Sequence, residues 1–247
     1  MKIKRFTLYI SIALFLSSVI LYTIHYLIFR DIRFLDIYLL DHIAFLPIEI
    51  LVVVIAIGRL LDIREKNIRI EKLNMVLGTF YSEIGHELMK HIGEADSQLE
   101  KKLEVLKVQS NWKKEDFEHA KKLISGIDTK IDINSMDLNC LKEFLLNKRA
   151  FLLRLMENPN LLEHDLLTNL MQATFHLLEE LEFRPSFENL PKSDIDHLAL
   201  DSKRVYLPLI LQWLEYMFYL KVHFPYLFSL AKRINPFDKD ASVIIYE

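Results

Sequence analysis

The chain has 247 residues, 51% of them hydrophobic and 26% charged, with a formal net charge of −3. That balance supplies no global basic field for nucleic acid, and its five glycines (Gly58, Gly78, Gly85, Gly93 and Gly126) cannot assemble a phosphate-cradling glycine loop. The lone cysteine, Cys140, excludes an internal disulfide and a cysteine-based zinc site, and fits a reducing compartment.

The mean hydropathy of +0.16 is high for a chain with this many charges, and the excess sits in the first 57 residues. Residues 6–29 contain no Asp, Glu, Lys or Arg. As a helix they extend about 36 Å, enough to cross a hydrocarbon core of about 30 Å. Lys2, Lys4 and Arg5 precede them, as in a secretory leader, but the apolar stretch is longer than a leader's and no small-residue cleavage site follows. After Arg30-Asp31-Ile32-Arg33 a second apolar stretch occupies residues 34–57, so a tight turn joins two antiparallel spans. Basic residues at the amino terminus and at Arg59, Arg64, Lys66, Arg69 and Lys72 outweigh Arg30 and Arg33. This predicts a membrane protein with both termini in the cytoplasm.

The second span carries Asp41, His42 and Glu49, with Pro47 between. His42 and Glu49 are seven residues apart and share a helix face, separated by about 20°. In an antiparallel hairpin Ser17 and Ser18 fall opposite Glu49, and His25 opposite Asp41. This candidate intramembrane polar site has two readings. One is a protonated Glu49 hydrogen-bonded to a serine, which stabilises the hairpin; the other is a proton or cation site lining a homo-oligomeric pathway.

No proline interrupts residues 58–91, so the second span is expected to continue as a juxtamembrane helix over 59–93. Ile63, Ile70, Leu73, Leu77, Phe80 and Ile84 recur at helical spacing along one seam, while Gly78, Ser82 and Gly85 form a stripe of small residues that admits close helix approach. Residues 94–125 read as charged helix with a break near Ser110-Asn111, and 125–134 as a connector. Ser135 is expected to cap a helix reaching Glu157, and another is expected over 161–182. Residues 185–202, with Pro185, Pro191 and several aspartates, read as a long loop. Residues 205–222 are apolar and aromatic, but Gln212, Glu215 and Lys221 make them a buried core helix rather than a third span. A short helix to Arg233 follows the His223-Phe224-Pro225 break.

Three histidines have an acidic residue three positions earlier: Glu83/His86, Asp116/His119 and Asp194/His197. Such pairs project from one helix face and serve as ligands in dimetal bundles, but chance supplies about one of them in this composition. His119 falls in a solvated charge run and His197 in the expected loop, so no metal site is read here. Glu163-His164-Asp165 and His176 with Glu179 read as ordinary surface groups. Cys140, between Leu138 and Leu141, reads as a core thiol. No Ser/His/Asp or Cys/His triad can be assembled, so a non-enzyme without cofactor is expected.

The stretch 80–90, with His86-Glu87-Leu88, resembles the H-box of sensor histidine kinases. The resemblance implies His86 as phosphoacceptor and Glu87 as its acid/base neighbour. His91 stands in place of that family's proline, and no ATP-binding glycine-rich lid follows. Only a bare phosphotransfer bundle is compatible with that pattern. Over most of the chain, Phe45-Leu46-Pro47-Ile48-Glu49, Leu73-Asn74-Met75-Val76-Leu77-Gly78 and Pro225-Tyr226-Leu227-Phe228-Ser229-Leu230 with Asn235-Pro236-Phe237-Asp238 resemble a group of uncharacterised prokaryotic two-span membrane proteins. That resemblance implies the two-span topology in the inner (plasma) membrane of a prokaryote, and no activity.

The expected organisation is all-α: a transmembrane hairpin in residues 1–58, the juxtamembrane helix in 59–93, a cytoplasmic helical bundle in 94–236 and a tail in 237–247. The leading functional expectation is a membrane-tethered scaffold or regulatory module that presents helices to a cytoplasmic protein partner. The alternatives are a homo-oligomeric channel or transport subunit using Glu49 and His42, and phosphotransfer at His86.

Overall fold

The computed structural model describes residues 2–30, 32–162 and 165–244. Asp31 of the connection, and Glu163 and His164, lie outside the described residues. The fold is all-helical. In chain order the helices are α1 (Lys2–Phe29), α2 (Ile32–Phe80), α3 (His86–Gly93), α4 (Leu99–Leu106), α5 (Lys114–Gly126), α6 (Leu138–Met156), α7 (Pro159–Leu162), α8 (Asp165–Glu182), α9 (Lys192–His223) and α10 (Pro225–Arg233). A π-helical turn, Tyr81–Gly85, joins α2 to α3, and a 3₁₀ turn, Ile133–Ser135, precedes α6. Among the described residues no strand occurs, only an isolated bridge between Asp96 and Ile131.

The chain divides into two units, Met1–Lys66 and Asn67–Glu247. In the first, α1 ends at Arg30, whose φ of 49° is the left-handed conformation that stops a helix, with its N–H donated to the Tyr26 carbonyl at 2.8 Å. Every large apolar side chain described from Tyr9 to Ile57 is exposed. Both helices contain stretches long and apolar enough to cross a membrane by length and composition.

The second unit has an ordinary core. Helix α9 is its axis, packed by α3, α5, α8 and α10, while α6 packs on α8. The reason is visible in the spacing: α6 buries Leu138, Leu141, Leu145, Leu152 and Leu155, and α8 buries Leu167, Leu170, Met171, Thr174, Leu177, Leu178 and Leu181. Each set recurs at three, four or seven residues and so makes one apolar face. From α9 come Leu198, Val205, Tyr206, Leu209, Trp213 and Met217. The stretch 205–222 is thus a core helix, as its interrupting polar residues indicate.

Several local expectations are corrected. Residues 192–202 are not loop: α9 starts at Lys192, because Leu198, Val205 and Leu209 continue one buried face seven and four residues apart through the aspartates. Asp137, not Ser135, caps α6, its carboxylate accepting the Cys140 N–H at 2.9 Å. Cys140 is exposed, since Leu138 and Leu141 take the buried face of α6 and turn the thiol outward. In the seam, Ile63 and Ile70 are exposed and burial begins at Leu73.

Candidate functional site

Of the seam and small-residue stripe, Leu73, Leu77, Phe80, Ile84 and Gly85 are buried. Gly78 lies against α9, where a Cβ would stand 2.7 Å from the Tyr216 hydroxyl. Gly85 makes room for the ring of Tyr81 instead of another helix, and Ser82 is exposed with its hydroxyl donated to the Thr79 carbonyl at 3.1 Å. Tyr81 explains the π-helical turn. Its ring stacks on Tyr216, with centroids 5.4 Å apart, and its hydroxyl donates to the Leu209 carbonyl at 2.9 Å. One extra residue in the turn lets this buried hydroxyl reach α9 without leaving the helix.

His86 follows that turn. Its Nε2 is buried and makes no hydrogen bond, and burial pulls the imidazole below its ordinary pKa of 6.5, with the Tyr81 backbone and the Glu87 charge pulling the other way. A nitrogen without solvent access is poorly placed to exchange a phosphoryl group with a partner. Glu49, Asp41, His42 and Ser17 are all exposed, and His25 is half-buried. His42 packs on Tyr38, and among the described residues no hydrogen bond joins Ser17 to Glu49.

A second polar constellation lies inside the core. Lys102 and Asp96 form an ion pair whose side chains are fully buried, and the Lys102 ammonium also donates to Thr129 Oγ1 at 2.7 Å. The ammonium lies over the Tyr206 ring, 5.0 Å from its centroid. Burial lowers the Lys102 pKa, with Asp96 opposing the shift. Asp132 N–H to the Ala95 carbonyl (2.8 Å) and Ser97 N–H to the Lys130 carbonyl (3.0 Å) close the same junction. This is a structural clamp, and no periodicity in the charged run 94–125 announces it.

The cluster with chemical potential lies between α8 and α9. His176 and Glu180 occupy successive turns of α8, and His197 and Asp201 successive turns of α9, each pair at i and i+4 and so on one helix face. The packed helices cross-match them. His176 Nε2 is 3.3 Å from Asp201 Oδ2 and 3.7 Å from Glu180 Oε1; His197 Nε2 is 3.1 Å from Asp201 Oδ2 and 3.6 Å from Glu180 Oε2. One donor atom from each of the four lies within 4.8 Å of every other. The Asp201 side chain is 1% exposed, yet its Oδ2 makes no hydrogen bond.

Two arginines hold the carboxylates. Arg204 Nη1 donates to Asp201 Oδ1 at 2.7 Å, and Arg184 Nη1 donates to Glu180 Oε2 at 2.7 Å. Arg184 is itself clamped by Asp194, through Nε–Oδ2 at 3.0 Å and Nη2–Oδ1 at 2.6 Å. The guanidinium holds both Glu180 and Asp194 below the usual carboxylate range, against the opposing effect of burial. His197 lies on α9 rather than in a loop, and His176, a surface residue as read, faces it across the α8–α9 packing. The cluster's missing signal was a second-helix partner; the trace that existed was the H-x-x-x-E and H-x-x-x-D spacing on either side of a short linker.

These features define a class: an all-helical protein of two units, one with an exposed apolar surface and one with a packed core holding an unusual His/carboxylate cluster. The chain belongs to the family of Uncharacterized protein MJ1433. That family's N-terminal helical domain matches residues 2–61, and its C-terminal helical domain matches residues 69–233. Both boundaries bracket the division at Lys66. The chain is 48% identical to Uncharacterized protein MJ1433 of Methanocaldococcus jannaschii, over all of this chain and 99% of that protein. No solved structure matches it.

Proposed function

We propose that this protein is a membrane-anchored, non-enzymatic module. Residues 6–29 and 34–57 cross the plasma membrane with both termini in the cytoplasm, and the helical domain from residue 67 presents its surfaces to a cytoplasmic protein partner. The exposed apolar surface of α1 and the first half of α2 carries this reading. Withdrawing one Leu, Ile or Phe side chain from water is worth about 1.5–3 kcal/mol, so two helices exposed all round call for a bilayer rather than water. The uninterrupted α2 supports a regulatory role, since it carries both apolar span residues and the buried Leu73, Leu77 and Phe80.

Cys140 is exposed and is the chain's single thiol, which makes it a natural topology reporter. A membrane-impermeant maleimide should leave it unlabelled in intact cells and label it after lysis, while the protein stays in the pellet after alkaline extraction. Labelling in intact cells, or release at alkaline pH, would refute the proposed topology. Glu49 favours a second reading, a homo-oligomer with a shared polar interior, because its exposed carboxylate has no partner among the described residues. A charge at mid-bilayer costs about 2.5–3.5 kcal/mol, which a neighbouring copy can relieve. Loss of cation or proton flux in liposomes on Glu49→Gln supports this reading; unchanged flux removes it.

A further inference from the structure

We propose that His176, Glu180, His197 and Asp201 bind one divalent first-row transition-metal ion of the zinc class. The cluster lies wholly within the second unit, so the proposal stands apart from the membrane reading.

Distance is the first argument. Zinc holds imidazole nitrogen and carboxylate oxygen at about 2.0–2.2 Å, which sets neighbouring donors about 3.3–3.6 Å apart in a tetrahedron. Asp201 Oδ2 stands 3.1 and 3.3 Å from the two imidazole Nε2 atoms, while Glu180 approaches them with separate oxygens, Oε1 at 3.7 Å from His176 and Oε2 at 3.6 Å from His197. One donor atom from each of the four residues lies within 4.8 Å of every other, and the two imidazoles, being partly exposed, have room to turn toward a shared ion.

The second argument is the unsatisfied oxygen. A buried carboxylate oxygen with no hydrogen bond is costly, and native structures rarely leave one so. Asp201 Oδ2 is such an atom, and it faces both imidazole Nε2 atoms. An ion placed between them supplies the partner that this oxygen lacks. Two carboxylates also match the charge of a dication.

The third argument is the surrounding shell. Metal-binding carboxylates are themselves oriented by hydrogen bonds. Arg204 fixes Asp201 by its outer oxygen, and Arg184, locked by Asp194, fixes Glu180. Two imidazole donors argue against magnesium and calcium, which prefer oxygen throughout. The side chains of His176 and His197 are 48% and 43% exposed, so the ion is reachable from solvent and a water can complete its coordination.

The competing account is an ion-pair network in which protonated histidines face the carboxylates and no metal binds. The untagged full-length chain in detergent, stripped with chelator, is titrated with Co²⁺ as an optical probe and then with Zn²⁺ as competitor. The expected result is one equivalent of Co²⁺ with visible absorption, displaced by Zn²⁺, and a Zn²⁺-dependent rise in thermal midpoint. The double variant His176→Gln/His197→Gln loses the visible band, and Asp201→Asn weakens Co²⁺ binding by at least about 100-fold. Arg204→Gln, which leaves every ligand in place, weakens it by about tenfold. Far-UV circular dichroism matching the unsubstituted chain shows that each variant is folded; where Asp201→Asn is not, the exposed-histidine double variant decides. An unchanged cobalt spectrum in the double variant, or no uptake by the unsubstituted chain at tenfold excess metal, overturns the proposal.

Discussion

Residues 1–66 and 67–247 are both rich in Leu, Ile, Val and Phe, yet they treat those residues in opposite ways. In the first region Leu40 is 72% exposed and Phe15 70%; in the second Leu88, Leu145 and Trp213 have no exposed surface. The difference lies in pattern. Residues 6–29 are apolar on every side of the helix, so no face remains with which to pair water. Helices α6 and α8 gather most of their apolar residues on one face and bury it against a neighbour, leaving only a few, such as Leu153 and Leu166, exposed. Hydrophobic content alone therefore does not decide burial; its angular distribution does.

Substitutions can break that contrast, and both tryptophans, Trp112 and Trp213, lie in the second region, so fluorescence reports its unfolding. The largest effect is expected at the buried ion pair. Lys102→Ala leaves the buried Asp96 charge without its counter-ion, with only the Gln98 N–H still donated to it, at a cost of about 3–5 kcal/mol, and should shift the urea midpoint of the detergent-solubilised protein strongly. A midpoint within error of the unsubstituted protein would show that the clamp is not needed. Leu145→Ala should cost about 2–5 kcal/mol by the same measurement, whereas Leu40→Ala should leave the fluorescence transition in place. Equal effects at the two positions would erase the distinction between the regions.

Gly78→Ala is smaller. Its new Cβ meets the Tyr216 hydroxyl, and Tyr216 is held by its stack on Tyr81, so about 1 kcal/mol or slightly more is expected. A thermal midpoint unchanged by this substitution would mean that Tyr216 can swing aside. The smallest effect concerns His86. Its folded pKa lies below the unfolded value, so between the two the unfolded chain binds more protons and stability rises with pH. The contribution is complete above about pH 6.5 and falls as pH drops through the folded pKa. A thermal midpoint followed from pH 7.5 to 5.5 should decline, and His86→Gln should flatten part of that decline; identical slopes would place the titration elsewhere.

Much of this was legible in the sequence wherever the signal is local. The two apolar runs, the helical character of 138–156 and 165–182, and the core role of 205–222 all follow from spacing over one or two turns. The all-helical class and membership of an uncharacterised family were legible too. The start of α9 was not. Pro191 followed by Asp194, Asp196 and Asp201 has the composition of a loop, and only the buried side of Leu198 and Val205 outweighs it. Cys140 was misplaced because flanking leucines say nothing about which way a third residue on the same turn points. Lys102 was hidden because its partner Thr129 is 27 residues away.

The sequence by itself determined the two apolar runs and the apolar faces of α6 and α8, and on a helix such as α8 the i, i+4 spacing of His176 and Glu180 places both on one face, because helix geometry fixes neighbours one turn apart. Only the tertiary structure decided that this pair meets the one on α9. The convergence of His176-Glu180 with His197-Asp201 depends on α8 packing on α9, with Leu170, Leu177, Leu178, Leu198 and Val205 buried in one common core, rather than on any pattern along one helix. The same packing buried Asp201 and left its oxygen facing two imidazoles.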